Sequence, residues 1–460
     1  MRSRVRILGA FLSGLAACAS VDPRPDYDDA RRQIRESTGR TEVFDPEAPP
    51  MSTDEIEAVL ADGLTLDEAL RLALLNNRRL QAGFARVGVA KAELVQAGLI
   101  GNPSLGMAFL FPSGGGRPKV TLDLAEDVLG IWELPARKRI ASAELAREVL
   151  EVSRLAGELV AETKSAYFDS VGARELRAIV REDADVARRR AEAVRERVAG
   201  GVATESDAGL ARSDALEAEL EVQLAEREDV TTRRRLAALL SLEGDLQEVE
   251  LMDGVPAPAL APVDREQLVA LGLEQRLDLR AAAAALAAAA ERVALVSQRV
   301  VPELEAGISA ERPERGSDVD LLVGPGISLE LPVFDRNQSR VSRAEFHRQV
   351  LQKEYEALRS EIAQDVRAAA DRTEVADRTA GFVATELLPQ AERTLAQRQN
   401  AYESGDTTLL PLFESRRAAL AAKRSSVEAL LRAVKASVEL ERHVGGTHQG
   451  GGQQGRPWPE

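Results

Sequence analysis

The chain of 460 residues has one cysteine, Cys18, so no disulfide can form within it. Histidine is nearly as scarce: His347, His443 and His448 are the only three. Their spacing matches no metal-binding pattern, so each reads as a solvated surface histidine, and neither metal nor cofactor is expected. A formal charge of -15 and a pI near 5.1 leave no concentrated basic surface for phosphates, which argues against a nucleic-acid partner. After the first residues no apolar run reaches the roughly eighteen residues of a transmembrane helix. A mature chain that spans a membrane must therefore do so as a closed β-barrel. Catalytic constellations are missing too. Gly114-Gly115-Gly116 is followed by Arg117-Pro118 and not by Lys with Ser or Thr, so it is a turn and not a phosphate loop. Most carboxylates are interleaved with arginine at helical spacing, as on solvated faces, and no nucleophile and base pair stands out. The chain is read as no enzyme.

Aromatics are only 3% of residues, while alanine, leucine, glutamate and arginine dominate, the composition of long helices packed through small side chains. Arg2, Arg4 and Arg6 precede an apolar run over residues 7–17, which suits a signal peptide covering residues 1–17. The run ends in Leu15-Ala16-Ala17-Cys18, which resembles the bacterial lipobox and assigns Cys18 as a lipidation site. Ala19 follows in place of Asp, which by resemblance to lipoproteins favours outer-membrane sorting. Residues 18–63, rich in Pro, Asp and Arg, read as an extended, lipid-anchored tether.

From Leu64 the pattern turns helical, with Leu66, Ala69, Leu70, Ala73 and Leu74 on one face, Thr65 or Asp67 as a cap, and a helix reaching about residue 99. At Pro103 the period becomes two. Leu105, Met107, Phe109 and Phe111 alternate with small or polar residues, and Val120, Leu122 and Leu124 resume after the glycines. This predicts strands over about 103–112 and 117–129. Leu145, Val149, Val152, Ala156, Leu159, Thr163 and Ala166 then step by four and three, a heptad pattern that predicts a helical hairpin over 136–240, broken at Gly200-Gly201. Residues 244–263 read as a linker.

The order then returns: a helix after Asp264, strands over about 302–312 and 319–333 with a turn near Gly316, a hairpin over 336–444 broken at Gly405, and a disordered tail over 445–460. Leu80 and Leu279 lie 279 − 80 = 199 apart, Pro103 and Pro302 302 − 103 = 199, Pro135 and Pro332 332 − 135 = 197, and Gly201 and Gly405 405 − 201 = 204. Four unlike landmarks in one order imply duplication, with repeats at 64–243 and 264–444. The fold class is mainly α with a small β part, a helix–hairpin–helix–helix unit written twice.

Four strands cannot close a barrel, and open edges in lipid leave backbone groups unpaired. Copies must join; with about eight strands the smallest membrane barrel, dimers and trimers both satisfy the arithmetic. In the second pair Leu304, Ala306 and Ile308 alternate with Glu303, Glu305, Gly307 and Ser309, and Ile327, Leu329, Leu331 and Val333 with Ser328 and Glu330. That suits a lipid exterior and a wet interior. Phe109, Phe111, Trp132 and Phe334 sit near strand ends, where membrane interface and core packing compete as explanations. Close helix packing accounts for the alanine run over 281–290.

Over residues 64 to about 445 the chain resembles the TolC-like outer membrane efflux proteins. The matching stretches are Leu64-Thr65-Leu66-Asp67-Glu68-Ala69-Leu70 with Asn76-Asn77, Asn102-Pro103-Ser104-Leu105, Leu331-Pro332-Val333-Phe334-Asp335, Leu388-Pro389, and Tyr402-Glu403-Ser404-Gly405-Asp406 with Leu409-Leu410. The resemblance implies a homotrimer whose twelve strands form an outer-membrane barrel continued by a periplasmic α-barrel. It implies passive export from an inner-membrane pump through a periplasmic adaptor. It also implies that the hairpin tips, with Gly200, Gly201, Gly405 and Asp406, meet the adaptor and hold the closed end. Asp207 takes the place of a family gate carboxylate; Pro411 occupies the equivalent place in the second half, with Glu414 one turn on. For gating, both carboxylates read as solvated helix charges. The competing function is a coiled-coil adaptor or scaffold lipoprotein without a pore, but such a chain would have one hairpin and a longer all-β stretch. The cargo is not encoded legibly.

Overall fold

The computed structural model describes residues 20–111, 113, 117–257, 264–299, 304–313 and 321–446. The signal peptide, Cys18, both strand-connecting turns, His448 and residues 447–460 lie outside them. Helices α1 (Arg24–Thr38), α2 (Thr53–Ala61), α3 (Leu66–Asn76) and α4 (Arg78–Ala97) lead into strands β1 (Ser104–Leu110) and β2 (Lys119–Asp127). Then come α5 (Val128–Ala199) and α6 (Glu205–Leu239). The order repeats as α7 (Arg265–Gln275), α8 (Leu277–Gln298), β3 (Leu304–Arg312), β4 (Leu322–Leu329), α9 (Gln338–Phe382), a π-helical turn (Val383–Leu387), α10 (Leu388–Glu403) and α11 (Leu409–Val444). Among the described residues no helix is long and apolar enough to cross a membrane.

The tether is not extended, because α1 and α2 form within it. Pro25 falls in the first turn of α1, where a missing N–H costs little, and Ala30 and Ile34 are fully buried. Helix α2 starts in a capping box in which Ser52 and Glu55 exchange hydrogen bonds. The helix expected from Leu64 to about residue 99 is also broken. Thr65 caps α3 with Glu68, but Asn77 leaves the helical region, and its side chain donates to the Leu239 carbonyl at 2.8 Å. Asn76 donates to Leu240 at 2.8 Å, so the two amides satisfy carbonyls that the end of α6 leaves open, while Asn77 Oδ1 accepts from Arg79 and Leu80 at the start of α4. The two asparagines thus exchange one helix turn for three helix ends.

Helix α5 starts eight residues earlier than the pattern suggests and contains Pro135 in its interior. Asp127 Oδ1 accepts from Leu129 N at 3.0 Å, so β2 runs into α5 without a loop. In the second repeat residues 330–337 intervene between β4 and α9, and Pro332 lies 332 − 329 = 3 residues past β4 whereas Pro135 lies 135 − 127 = 8 past β2, so most of the drift of the offset from 197 to 204 comes from where the prolines stand. There Asn337, with φ 70°, donates to the carbonyls of Val296 and Arg299.

The chain divides into two units. One contains the described parts of Met1–Asp29, Phe84–Glu151 and Asp278–Leu358, with the β-sheet and a core that includes Phe84, Ile140, Leu145 and Val149. The other contains Ala30–Gly83, Val152–Leu277 and the described part of Arg359–Glu460. Its core is pinned by Tyr167, which is fully buried with its hydroxyl 2.8 Å from the Leu64 carbonyl and 2.9 Å from Asp253 Oδ2.

His443, taken from sequence as a solvated histidine, is instead largely covered, with Asp365 and Glu439 about its ring at 3.7 and 3.6 Å. Burial, and then the charge of Arg442, lower its pKa below the ordinary 6.5. The unfolded chain therefore binds the proton more readily. The stability this gives is complete above pH 6.5 and is lost as pH falls from there through the folded value. The denaturation midpoint of the wild type should drop more between pH 7.5 and 5.5 than that of His443→Gln; equal drops would contradict the assignment.

Candidate functional site: an amphipathic sheet and paired hairpin tips

The sheet is four-stranded and antiparallel in the order β1-β2-β3-β4, so β1 and β4 each have one unpaired edge. Its register sorts the side chains. Leu105, Leu124, Ile308 and Pro325 form one row, and Met107, Leu122, Ala310 and Val323 the next, on the same face. The opposite face carries the row Gly106, Asp123, Ser309 and Gly324, then Ala108, Thr121, Glu311 and Leu322. On that face Ser309 donates to Asp123 at 2.6 Å, and Lys119 pairs with Glu311 at 2.9 Å. No strand residue is buried. A soluble sheet would cover its apolar face with helices or a second sheet; this one leaves Leu105, Met107, Ile308 and Val323 more than half exposed. Trp132 and Phe334 are 84% and 92% exposed, so neither packs into the core of its own chain.

The second unit presents two helical hairpins side by side. The turn from α5 to α6 is made by Gly201, whose φ of 73° disfavours any residue with a Cβ, and Val202 N donates back to the Arg197 carbonyl at 2.8 Å. Gly405, with φ 83°, does the same between α10 and α11, where Asp406 N donates to Ala401 at 2.8 Å. Gly200 continues the helix end by donating to Glu196. Asp207 is part of a capping box: Oδ2 accepts from Thr204 N and Oγ1 at 3.0 and 2.7 Å, while its own N–H donates to Thr204 Oγ1. Those bonds, the side-chain one first, hold its carboxyl below the usual carboxylate range. Thr408 occupies the corresponding place before α11 but makes no such bond. Pro411 stands where the box needs an N–H and a carboxylate, and it has neither. Glu414 is exposed on α11. Thr204→Ala should therefore speed hydrogen exchange in the first turn of α6 about fivefold, since a lost Thr cap costs about 1 kcal/mol. Thr408→Ala should leave α11 unchanged; equal effects in the two helices would contradict this reading.

The hairpins are locked together by residues that pattern reading passed over. Arg416 on α11 is nearly buried. Its Nε and Nη2 reach Asp183 of α5 at 2.8 and 2.6 Å, and its Nη1 pairs with Asp214 of α6. Arg424 pairs with Glu221 at 2.6 Å, and Arg417 with Glu217. Nearer the turns Val194, Ala211, Leu409, Leu412 and Phe413 form an apolar cluster, with Arg190 Cζ 5.9 Å from the Phe413 ring centre. Burial, and then the charge of Arg416, lower the Arg190 pKa. Arg197 donates to Tyr402 Oη at 2.8 Å, with its guanidinium 5.4 Å from the ring centre. One signal was available: Arg416 falls on the apolar face of α11 with Leu412 and Phe413, an unusual place for an unpaired charge.

No cluster of three or more metal-ligating side chains occurs among the described residues. The sequence profile of the family described as "Outer membrane efflux protein" matches residues 268–446. The cobalt-zinc-cadmium resistance protein CzcC of Cupriavidus metallidurans is 26% identical over 399 residues, covering 84% of this chain and 91% of the relative. The pyoverdine export outer membrane protein OpmQ of Pseudomonas aeruginosa is also 26% identical, over 415 residues, covering 84% and 85%. The fold is shared with the outer membrane protein VceC of Vibrio cholerae at a TM-score of 0.67 and 21% identity, covering 86% of this chain and 99% of that one. An open amphipathic sheet and two locked hairpins, set beside these matches, make the chain similar to outer membrane efflux proteins, with the family profile itself matching residues 268–446.

Proposed function

We propose that three copies close into one passive export duct. The observation that carries this reading is a sheet with an apolar face, a polar face and two unpaired edges. Edge-to-edge joining of β1 to β4 of the next copy satisfies the open backbone groups, turns the leucines to lipid and encloses Asp123, Thr121 and Glu311 around water. Three copies bring twelve strands. Trp132 and Phe334, exposed beyond the strands, settle at the lipid boundary, and acyl chains on Cys18 add a second anchor. The helical hairpins extend the duct into the periplasm, where the turns at Gly200-Gly201 and Gly405-Asp406 meet an adaptor coupled to an inner-membrane pump. Asp207 serves as a helix cap, and neither it nor Glu414 need gate the duct. Substrate crosses without chemistry, so the chain is no enzyme.

Two relatives of equal identity are named for metal resistance and for pyoverdine export. Relatives named for such different cargoes support a reading in which the pump, and not the duct, selects the substrate. Planar-bilayer recording of the detergent-purified protein tests this reading. Stable unitary conductance steps are expected, and a water-soluble protein that leaves the bilayer silent would sink it.

A further inference from the structure

The apolar face of the sheet carries a charge at each of its limits and none between them. Rows such as Met107, Leu122 and Val323, or Leu105, Leu124 and Ile308, hold only apolar side chains there. Glu126 stands opposite Ala306 at the end nearest the helices. Arg312 stands at the other end, nearest the strand-connecting turns, in one row with Val120 and Phe109. In register the two charges are 312 − 306 = 6 residues apart, or about 20 Å along the strands, so neither neutralises the other.

Nothing nearer serves Arg312 among the described residues. Its Nε is shielded from solvent and has no hydrogen-bond partner there. The adjacent carboxylate, Glu311, belongs to the opposite face, where Lys119 holds it at 2.9 Å. Val120 and Phe109 offer no anion. A guanidinium keeps its proton at any physiological pH, so on an apolar surface it needs an anion or a path to water for its head. The shielded Nε argues against the second, since the inner edge of the head lies against the sheet and does not stand away from it.

We infer that Arg312 binds the phosphate of an anionic lipid in the outer leaflet of the membrane. The inference rests on the duct proposed above, which sets this face against lipid and the strand-connecting turns outward, away from the helices. At Arg312 the apolar band ends and lipid headgroups begin, so the anion that the chain does not supply comes from the membrane. A guanidinium fork matches two phosphate oxygens, while Val120 and Phe109 in the same row meet the acyl chains. Glu126 at the inner limit has the opposite sign and repels such a headgroup, which confines the site to the outer leaflet. One site per copy gives the closed ring three.

The full-length protein in detergent, titrated with diphosphoryl lipid A and read by native mass, tests the site. Saturable binding to a three-chain particle is expected, and excess inorganic phosphate should not displace the lipid. Arg312→Gln should weaken binding about tenfold, as loss of a charge-assisted hydrogen bond does. Arg312→Lys should weaken it less, because the charge stays and only the fork is lost; this variant decides the matter if Arg312→Gln does not assemble. Lys119→Gln, on the face assigned to water, should bind as the wild type does. Three-chain particles that hold the lipid equally well with and without Arg312, or that release it to inorganic phosphate, overturn the site and leave the duct. A one-chain particle overturns both.

Discussion

Arg416→Ala is expected to loosen the paired hairpins by about 3–5 kcal/mol, the usual cost of removing one partner from a buried ion pair. The side chains of Arg416, Asp183 and Asp214 are only 7%, 16% and 10% exposed, so the deletion strands two carboxylates out of water. The loss comes from that stranding more than from the bond itself. Replacing all three, as Arg416→Met with Asp183→Asn and Asp214→Asn, should therefore recover most of the stability. A triple variant as weak as the single one would contradict this. In the proposed ring, Arg416→Ala weakens the hold of α5 and α6 on α11 near the turns, and higher basal conductance is the expected functional sign.

The second large effect distinguishes the two faces of the sheet. Leu122→Arg puts a guanidinium on the face assigned to lipid, at about 2–4 kcal/mol per copy if near the bilayer midplane, and is expected to abolish assembly in the outer membrane. Asp123→Arg, one residue on, puts the same charge on the face assigned to water. It removes the bond from Ser309 but should leave assembly intact and shift the open channel toward anions. If both variants assemble, or neither does, the face assignment is wrong.

Neighbours with opposite fates are what a period of two makes visible in sequence. The alternation of Leu122 and Leu124 with Asp123 could be read directly, as could the duplicated order of elements and the turn glycines, because each signal lies within a few residues. Other features depend on distant partners. Asn77 ends a helix because its amide finds the carbonyl of Leu239, 162 residues away, and nothing around Asn77 announces that. The prolines of residues 18–63 suggested an extended chain, yet Pro25 stands where a helix tolerates it and Ser52 with Glu55 starts another. The lock at Arg416 is harder still to foresee, since Asp183 and Asp214 lie 233 and 202 residues from it among dozens of like charges. Only its seat on an apolar helix face sets it apart. The π turn has a single local sign, Pro389, whose missing N–H cannot hold an ordinary turn closed.

The account depends on unlike sheet edges finding each other in neighbouring copies around a wet interior. Native mass of the gently solubilised outer-membrane particle tests that most directly. Three chain masses, unchanged on dilution, are predicted; a single chain mass with the sheet intact would contradict it.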